Sequence, residues 1–189
     1  MSLHRPTRMQ RNLLLTAALL ATAGIAAAQA PALPPAHDVM AKAEARAAAE
    51  HKNILLSFSD SWCGPCKMFE RFLEDPAIHP IMEKAFVMDR LDVGEHPTDT
   101  KHADSPGGED LLASLGGKDT GYPYIVMVTP GGKPIVNSLR GGAPAGNVGY
   151  PALPVEVDWF MDMLQKAAPS LTADDRATIH TWLTAHGHS

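Results

Sequence analysis

The stretch that decides the fold runs from residue 54 to residue 67 and reads ILLSFSDSWCGPCK. Its first five residues are a short apolar run rich in β-forming side chains, which predicts a buried strand. Apolar residues then recur at helical spacing after Cys63, so a helix is expected to begin there. The two cysteines of the chain, Cys63 and Cys66, therefore fall where a strand turns into a helix.

This placement predicts redox chemistry. The unpaired N–H groups and the dipole at a helix N-terminus favour negative charge, so the pKa of the Cys63 thiol is expected to be lowered. The thiolate is the nucleophile in disulfide exchange, and Cys66, one turn further on, can attack a mixed disulfide formed at Cys63. Pro65 suits an early helical position, and Lys67 adds positive charge nearby.

Three other uses of the cysteine pair are weaker. A structural zinc site needs about four ligands, and the chain has no second cysteine pair or close histidine pair to complete it. Haem attachment needs a histidine after the second cysteine, where Lys67 stands. A purely structural disulfide of this spacing constrains the unfolded chain little. No cofactor and no metal are expected, and the polar loop residues Glu95, His96, Asp99, His102 and Asp104 are interpreted as solvated.

Three segments carry a resemblance to a known family. Trp62–Lys67 matches the active-site motif of the thioredoxin family residue for residue. Residues 120–128 resemble the cis-proline loop and following strand of that family, and residues 130–133 resemble its hairpin turn. The similarity covers His37 to Lys166. It implies an α/β, thioredoxin-like fold, with a central mixed β-sheet flanked by helices and an extra C-terminal helix.

The resemblance also implies the site. Cys63 and Cys66 would be the catalytic pair. In this family a cis proline lies against the dithiol, and the residue before it offers backbone hydrogen bonds to substrate. The residues implied for the substrate groove are Trp62, Gly64, Pro65, Tyr122 and Pro123.

The chain departs from the family at one buried position. Thioredoxins keep an aspartate six residues before the first cysteine, where it assists proton transfer to the second cysteine, and here that position is Ser57. Glu70 lies one turn beyond Cys66 on the same helix face and is the expected substitute. The C-terminal domain of the thiol:disulfide interchange protein DsbD is similar in this segment, with a matching glutamate. The alternative is that Glu70 is a solvated surface carboxylate.

The N-terminal residues resemble an export signal. A basic segment is followed by an apolar stretch, residues 13–28, that ends in small residues. The expectation is a Sec-type signal peptide over residues 1–28, cleaved before Gln29, and a Pro/Ala linker over residues 29–36. Export to the periplasm follows, with a mature form that does not span the membrane. An uncleaved anchor is the alternative.

The mature chain divides into two parts. Residues 37–168 are expected to form the thioredoxin-like domain, and residues 169–189 a helical extension capped by Thr172. The extension is expected to pack on the domain surface, with a docking role as the alternative. The other predicted elements are helices over residues 38–51, 75–84, 109–115 and 155–166, and strands over residues 86–93, 124–128 and 134–139.

Two functions remain open. The first is a periplasmic thiol–disulfide oxidoreductase that reduces disulfide-containing proteins and draws electrons from a membrane donor of the DsbD or CcdA kind. The second is a redox-silent module that uses the groove near Tyr122 for peptide binding or chaperone-like work. A net charge of −5 argues against nucleic acid as a partner.

Overall fold

The computed structural model describes residues 32–141 and 146–187. The proposed signal peptide and the first linker residues lie outside the described residues. Within them, no helix is long and apolar enough to cross a membrane. The elements in chain order are α1 (Ala36–Glu50), β1 (Asn53–Ser59), α2 (Gly64–Glu74), α3 (His79–Ala85), β2 (Phe86–Asp92), α4 (Gly108–Ser114), β3 (Tyr124–Val128), β4 (Pro134–Asn137), α5 (Pro154–Ala167) and α6 (Ala173–His186).

The four strands form one mixed sheet in the order β2-β1-β3-β4. β1 pairs in parallel with β2 and antiparallel with β3, which pairs antiparallel with β4. β1 is therefore a central strand, and burial on both faces explains its continuous apolar run. The predicted mixed sheet flanked by helices is confirmed.

Helices cover both faces of the sheet, as the alternation of side chains along β1 requires. Ile54, Leu56 and Phe58 pack with buried residues of α1 and α4. Leu55 points the other way and packs with buried residues of α2, α3, α5 and α6. Because both faces of β1 are packed, the end of the strand has a fixed position. The turn that follows it leads directly to Cys63.

The C-terminal helix α6 is part of the core. Its Ile179 and Leu183 are fully buried in the same apolar cluster as Phe72 of α2 and Phe160 of α5. Trp182 adds a ring contact with Phe72, at 5.2 Å between ring centroids. The predicted helix after Thr172 is confirmed, but it packs more deeply than the surface contact that the sequence suggested.

Two helices begin elsewhere than predicted. α1 begins at Ala36, with Pro35 at its N-cap, rather than near Asp38. α3 begins at His79 rather than Asp75, because Asp75 ends α2 in an extended conformation. The Asp75 carboxylate then accepts a hydrogen bond from the Ala77 N–H at 2.8 Å, which stabilises a turn in place of a first helical turn.

An ion pair between Lys84 and Asp175, in the first turn of α6, is expected to make a contribution to stability that acid removes. The Asp175 carboxylate accepts hydrogen bonds from Lys84 Nζ at 2.6 Å and from the Thr172 N–H at 3.0 Å, and these hold its pKa at about 2. The pKa in the unfolded chain is about 3.9. The stabilisation is therefore present above about pH 4 and is lost as the pH falls through about 2.

Chemical denaturation between pH 5 and 2 measures this contribution. Asp175→Asn is expected to be less stable than the wild type at pH 5 and to lose less stability on acidification. The exposed neighbour Asp174 supplies the matched control, and Asp174→Asn should keep the wild-type slope. An unchanged slope in Asp175→Asn would contradict this assignment.

Candidate active site

The start of α2 positions the two cysteines. Cys63 is the N-cap residue, in an extended conformation, and its Sγ accepts a hydrogen bond from the Cys66 N–H at 3.1 Å. Pro65 lies in the first turn, where its missing N–H leaves no hydrogen bond unmade. The Cys63 sulfur therefore faces the N–H groups of the first helical turn, which stabilise a thiolate at this position.

The cysteines are joined in a disulfide, with their Cα atoms 5.2 Å apart. Both are buried, with 5% of Cys63 and 2% of Cys66 exposed. Cys63 is the residue nearer the surface, which suits the thiol that attacks substrate first. Cys66 is the more deeply buried of the two.

A loop after β2 fixes the turn that carries the cysteines. The N–H and the hydroxyl of Ser61 both donate to the Glu95 carboxylate, at 2.7 and 2.6 Å. The Trp62 indole N–H donates to the Gly94 carbonyl at 3.2 Å. The Glu95 N–H in turn donates to the Asp104 carboxylate at 2.8 Å. The sequence identified this loop only as polar, since nothing local indicates what it contacts.

A groove of about 530 Å³ begins beside the disulfide turn. Pro65 lines one side and Tyr122 the other, and the Tyr122–Pro123 peptide bond is cis, as the resemblance implied. Trp62 is 64% exposed, which is unusual for a large aromatic side chain. The predicted groove residues Pro65 and Tyr122 thus meet at one surface, whereas Gly64 joins Pro65 in lining a neighbouring groove.

The position of Tyr122 is set by close packing. Its hydroxyl donates to Glu109 at 3.2 Å, and burial together with this carboxylate raises the pKa of the phenol. Gly94 approaches the ring so closely that a Cβ there would lie 2.7 Å from it, and its φ is +75°. A larger residue at position 94 would therefore displace Tyr122 and strain the backbone.

Residues between 147 and 156 form the far wall of the groove, and sequence patterns assigned none of them to the site. Asn147 connects this wall to the cis-proline segment, because its amide donates to the Pro123 carbonyl at 3.2 Å. The Ser138 hydroxyl donates to the Asn147 side-chain oxygen at 2.6 Å and orients it. Sequence patterns carry little signal for such a contact between distant segments.

Glu70, the expected proton acceptor, accepts a hydrogen bond from Arg90 of β2 in an ion pair. Glu70 and Ser57 line one cavity of about 340 Å³, so the residue at the family's aspartate position does lie near Glu70. The role of Glu70 in proton transfer stays a prediction.

A second carboxyl group, Asp60, lies directly at the disulfide, and sequence reasoning missed it. Asp60 is 3% exposed, and one of its carboxylate oxygens and both cysteine Sγ atoms lie within 4.8 Å of one another. Burial raises the pKa of this carboxyl group, although the backbone N–H groups of Cys63 and Trp62 oppose the shift. Sequence patterns assigned Asp60 no role in the site. Its place between a buried strand and the first cysteine was the available signal.

Part of the polar loop does cluster. One ligand atom each from Glu95, Asp99 and His102 lie within 4.8 Å of one another. However, Asp99 already accepts hydrogen bonds from the His102 ring at 2.8 Å and from the Lys101 N–H at 2.7 Å, which hold its pKa at about 2. Glu95 is held by Ser61. These hydrogen bonds explain why the three side chains lie together, because they hold the loop in its conformation.

A mixed sheet, a disulfide at a helix N-terminus and a cis-proline segment beside it define a thioredoxin-type site. The comparison with family models agrees. The model described as thioredoxin-like matches residues 36–130, which is slightly more than half of the 189 residues. The chain belongs to the thioredoxin-like family, and it carries a Cys-x-x-Cys pair at disulfide distance.

Several relatives share this family. A protein disulfide-isomerase of Hordeum vulgare is 28% identical over 141 residues, which cover 75% of this chain and 21% of the relative. Thioredoxin H2 of Arabidopsis thaliana is 45% identical over 49 residues, covering 25% of this chain and 33% of the relative. The chain thus spans about a fifth of the length of the barley protein.

Two solved structures have a weaker similarity to this chain. The oxidised C-terminal domain of DsbD from Neisseria meningitidis is 21% identical, with a TM-score of 0.45, over 72% of this chain and 99% of that one. A DsbH oxidoreductase is 22% identical, with a TM-score of 0.46, over 79% of this chain and 92% of that one.

Proposed function

We propose that this protein is a thiol–disulfide oxidoreductase that reduces disulfides in exported proteins. The observation that carries the proposal is Cys63 at the N-cap of α2, in a disulfide with the more deeply buried Cys66. The direct test is reduction of insulin by the purified protein, with dithiothreitol as the source of electrons.

The proposed reaction begins with the reduced protein. The Cys63 thiolate attacks one sulfur of a substrate disulfide, forms a mixed disulfide and releases the other substrate sulfur as a thiolate, which takes up a proton. Cys66 then loses its proton and attacks the Cys63 sulfur. The bond between Cys63 and the substrate breaks, and its electron pair leaves with the substrate sulfur. Two electrons and two protons pass to the substrate, and the protein is left with the disulfide seen in the structure.

The groove between Pro65 and Tyr122 supports a polypeptide substrate. By the resemblance, the backbone of Tyr122 pairs with an extended substrate segment beside the disulfide. Trp62 offers an exposed apolar surface next to it. Such contacts depend on backbone and apolar surface, so they suit many unrelated disulfide-containing proteins.

The proposed compartment is the periplasm. The basic and apolar N-terminal segments support export, and the chain has only the two active-site cysteines, so it carries no further disulfide of its own. A reductase in an oxidising compartment must be reduced again after each turnover. We therefore assign it a membrane electron donor of the DsbD or CcdA kind.

The proposed direction predicts a reducing potential. The Gly64-Pro65 dipeptide is that of reducing family members, for which thioredoxin is the reference at about −270 mV, against about −120 mV for DsbA. Equilibrium titration against dithiothreitol buffers is expected to place the Cys63–Cys66 couple nearer thioredoxin. A potential close to that of DsbA would indicate a protein that forms disulfides instead.

A further inference from the structure

The proposed reaction requires a group that accepts the proton of Cys66. The family's aspartate is replaced by Ser57, whose hydroxyl does not ionise near neutral pH. Building on the proposed function, we propose that Asp60 is the proton acceptor for Cys66 when it resolves the mixed disulfide.

The geometry of Asp60 supports this role. It is 97% buried, since only 3% of it is exposed, and its carboxylate lies within 4.8 Å of both sulfur atoms. Neither carboxylate oxygen makes a hydrogen bond of good geometry among the described residues, although the Cys63 and Trp62 N–H groups lie close enough to lower its pKa. A buried carboxyl group that is only weakly hydrogen-bonded is destabilising, so a fold that keeps one at its reacting atoms does so at a cost to stability. Proton exchange with the Cys66 thiol explains why a buried carboxyl group is tolerated at position 60.

The charged and titratable groups around Asp60 favour exchange. Glu95 faces it from the loop after β2, Lys67 from α2 and Tyr122 from the segment before β3. Burial, the largest influence, and the Glu95 charge raise the pKa of Asp60, whereas the Cys63 and Trp62 N–H groups and Lys67 lower it. A carboxyl group with a raised pKa lies closer to the pKa of a thiol, so the proton transfer becomes less uphill.

The Cys66 proton passes to a carboxylate oxygen of Asp60 while Cys66 Sγ forms its bond with Cys63 Sγ. The bond between Cys63 Sγ and the substrate sulfur breaks, and the electron pair leaves with the substrate. Asp60 then gives its proton to the departing thiolate or to water and is again a carboxylate. Because an Asp60 carboxylate oxygen lies within 4.8 Å of the Cys66 sulfur, we expect the two groups to titrate as a coupled pair once the disulfide is reduced.

The competing assignment is Glu70. Its carboxylate is engaged by Arg90 of β2, on the side of α2 that lines the cavity with Ser57. Asp60 instead lies in the turn that leads into Cys63, against the sulfur atoms themselves. The two carboxyl groups can therefore be tested separately.

Single-turnover kinetics of the full chain, with a disulfide-containing peptide as probe, separate attack from resolution. Asp60→Asn is expected to slow resolution by about 100-fold or more, since a positioned general base contributes about 10²–10⁴-fold. In a Cys66→Ala background, where only attack occurs, Asp60→Asn should be as fast as its parent or faster, because loss of a carboxylate favours the Cys63 thiolate. Asp110→Asn, an exposed change on α4, is the control for removal of a carboxylate.

Two further measurements separate proton transfer from a structural role. In the reduced wild type, the curve of thiolate absorbance against pH should show the titration of Asp60 as an additional inflection, coupled to the titrations of the cysteines. Asp60→Asn should lose this inflection. Ser57→Asp added to Asp60→Asn should recover part of the resolution rate, because it restores a carboxyl group at the family position.

The outcomes are distinguishable. A normal resolution rate in Asp60→Asn overturns the proposal, whatever Glu70→Gln does. Slow resolution in Asp60→Asn with a normal rate in Glu70→Gln supports it, and slow resolution in both supports it while adding a role for Glu70. Slow attack as well as slow resolution in Asp60→Asn would mean a general structural defect and would overturn it. If the wild type forms no mixed disulfide at all, it is the proposed function that fails.

Discussion

The Cys63→Ser variant is expected to lose all measurable reduction of insulin. In the proposed reaction Cys63 supplies the thiolate that attacks the substrate, and Cys66 is only 2% exposed, so we do not expect it to replace Cys63. A serine hydroxyl is not ionised near neutral pH and is a poor nucleophile toward sulfur. The measurement is insulin turbidity at fixed dithiothreitol, compared with the rate without protein.

The Cys66→Ser variant is the matched control. It keeps the attacking thiol and lacks the resolving thiol, so it should accumulate mixed disulfides that non-reducing electrophoresis detects. Equal insulin reduction by the wild type and Cys63→Ser would sink the oxidoreductase assignment and favour the redox-silent binding module.

The Leu183→Ala variant is expected to lower the free energy of unfolding by about 2–5 kcal/mol, the usual cost of a large cavity in a core. Leu183 is fully buried on α6 and belongs to the cluster that includes Phe69 and Phe72 of the active-site helix. Removing its side chain leaves a void in the apolar cluster that α6 shares with α2. The C-terminal helix therefore supports the helix that carries the cysteines.

Urea denaturation of the oxidised protein measures this loss. Thr181→Ala, on the exposed side of the same helix, is the control and should leave stability nearly unchanged. If Leu183→Ala matched Thr181→Ala, α6 would be an appendage rather than part of the core.

Much of the fold was predictable from local patterns. The apolar run that became β1 and the helical spacing after Cys63 are signals within a few residues, and both elements form as expected. The residue-for-residue match of Trp62–Lys67 carried the rest of the family assignment. Errors fell at helix starts such as that of α3, where the Asp75 carboxylate stabilises a turn.

The site was predictable only where its chemistry is local. The cysteine pair is recognisable from the sequence alone. The contacts that hold it depend on distant segments, as with Glu95 and Ser61. Asp60 shows the same limit, because an aspartate in a turn is ordinarily a solvated turn former. Its burial follows from how β1, α2 and the loop after β2 meet, and the sequence pattern does not encode that meeting locally.

The proposed function requires the Cys63–Cys66 dithiol to pass two electrons to a substrate disulfide. The test mixes one equivalent of reduced protein with one equivalent of a disulfide-containing peptide, followed by acid quenching and mass spectrometry. Peptide dithiol and the Cys63–Cys66 disulfide are expected to appear in equal amounts, through a transient adduct at Cys63. Peptide that stays oxidised while the protein keeps both thiols would contradict it.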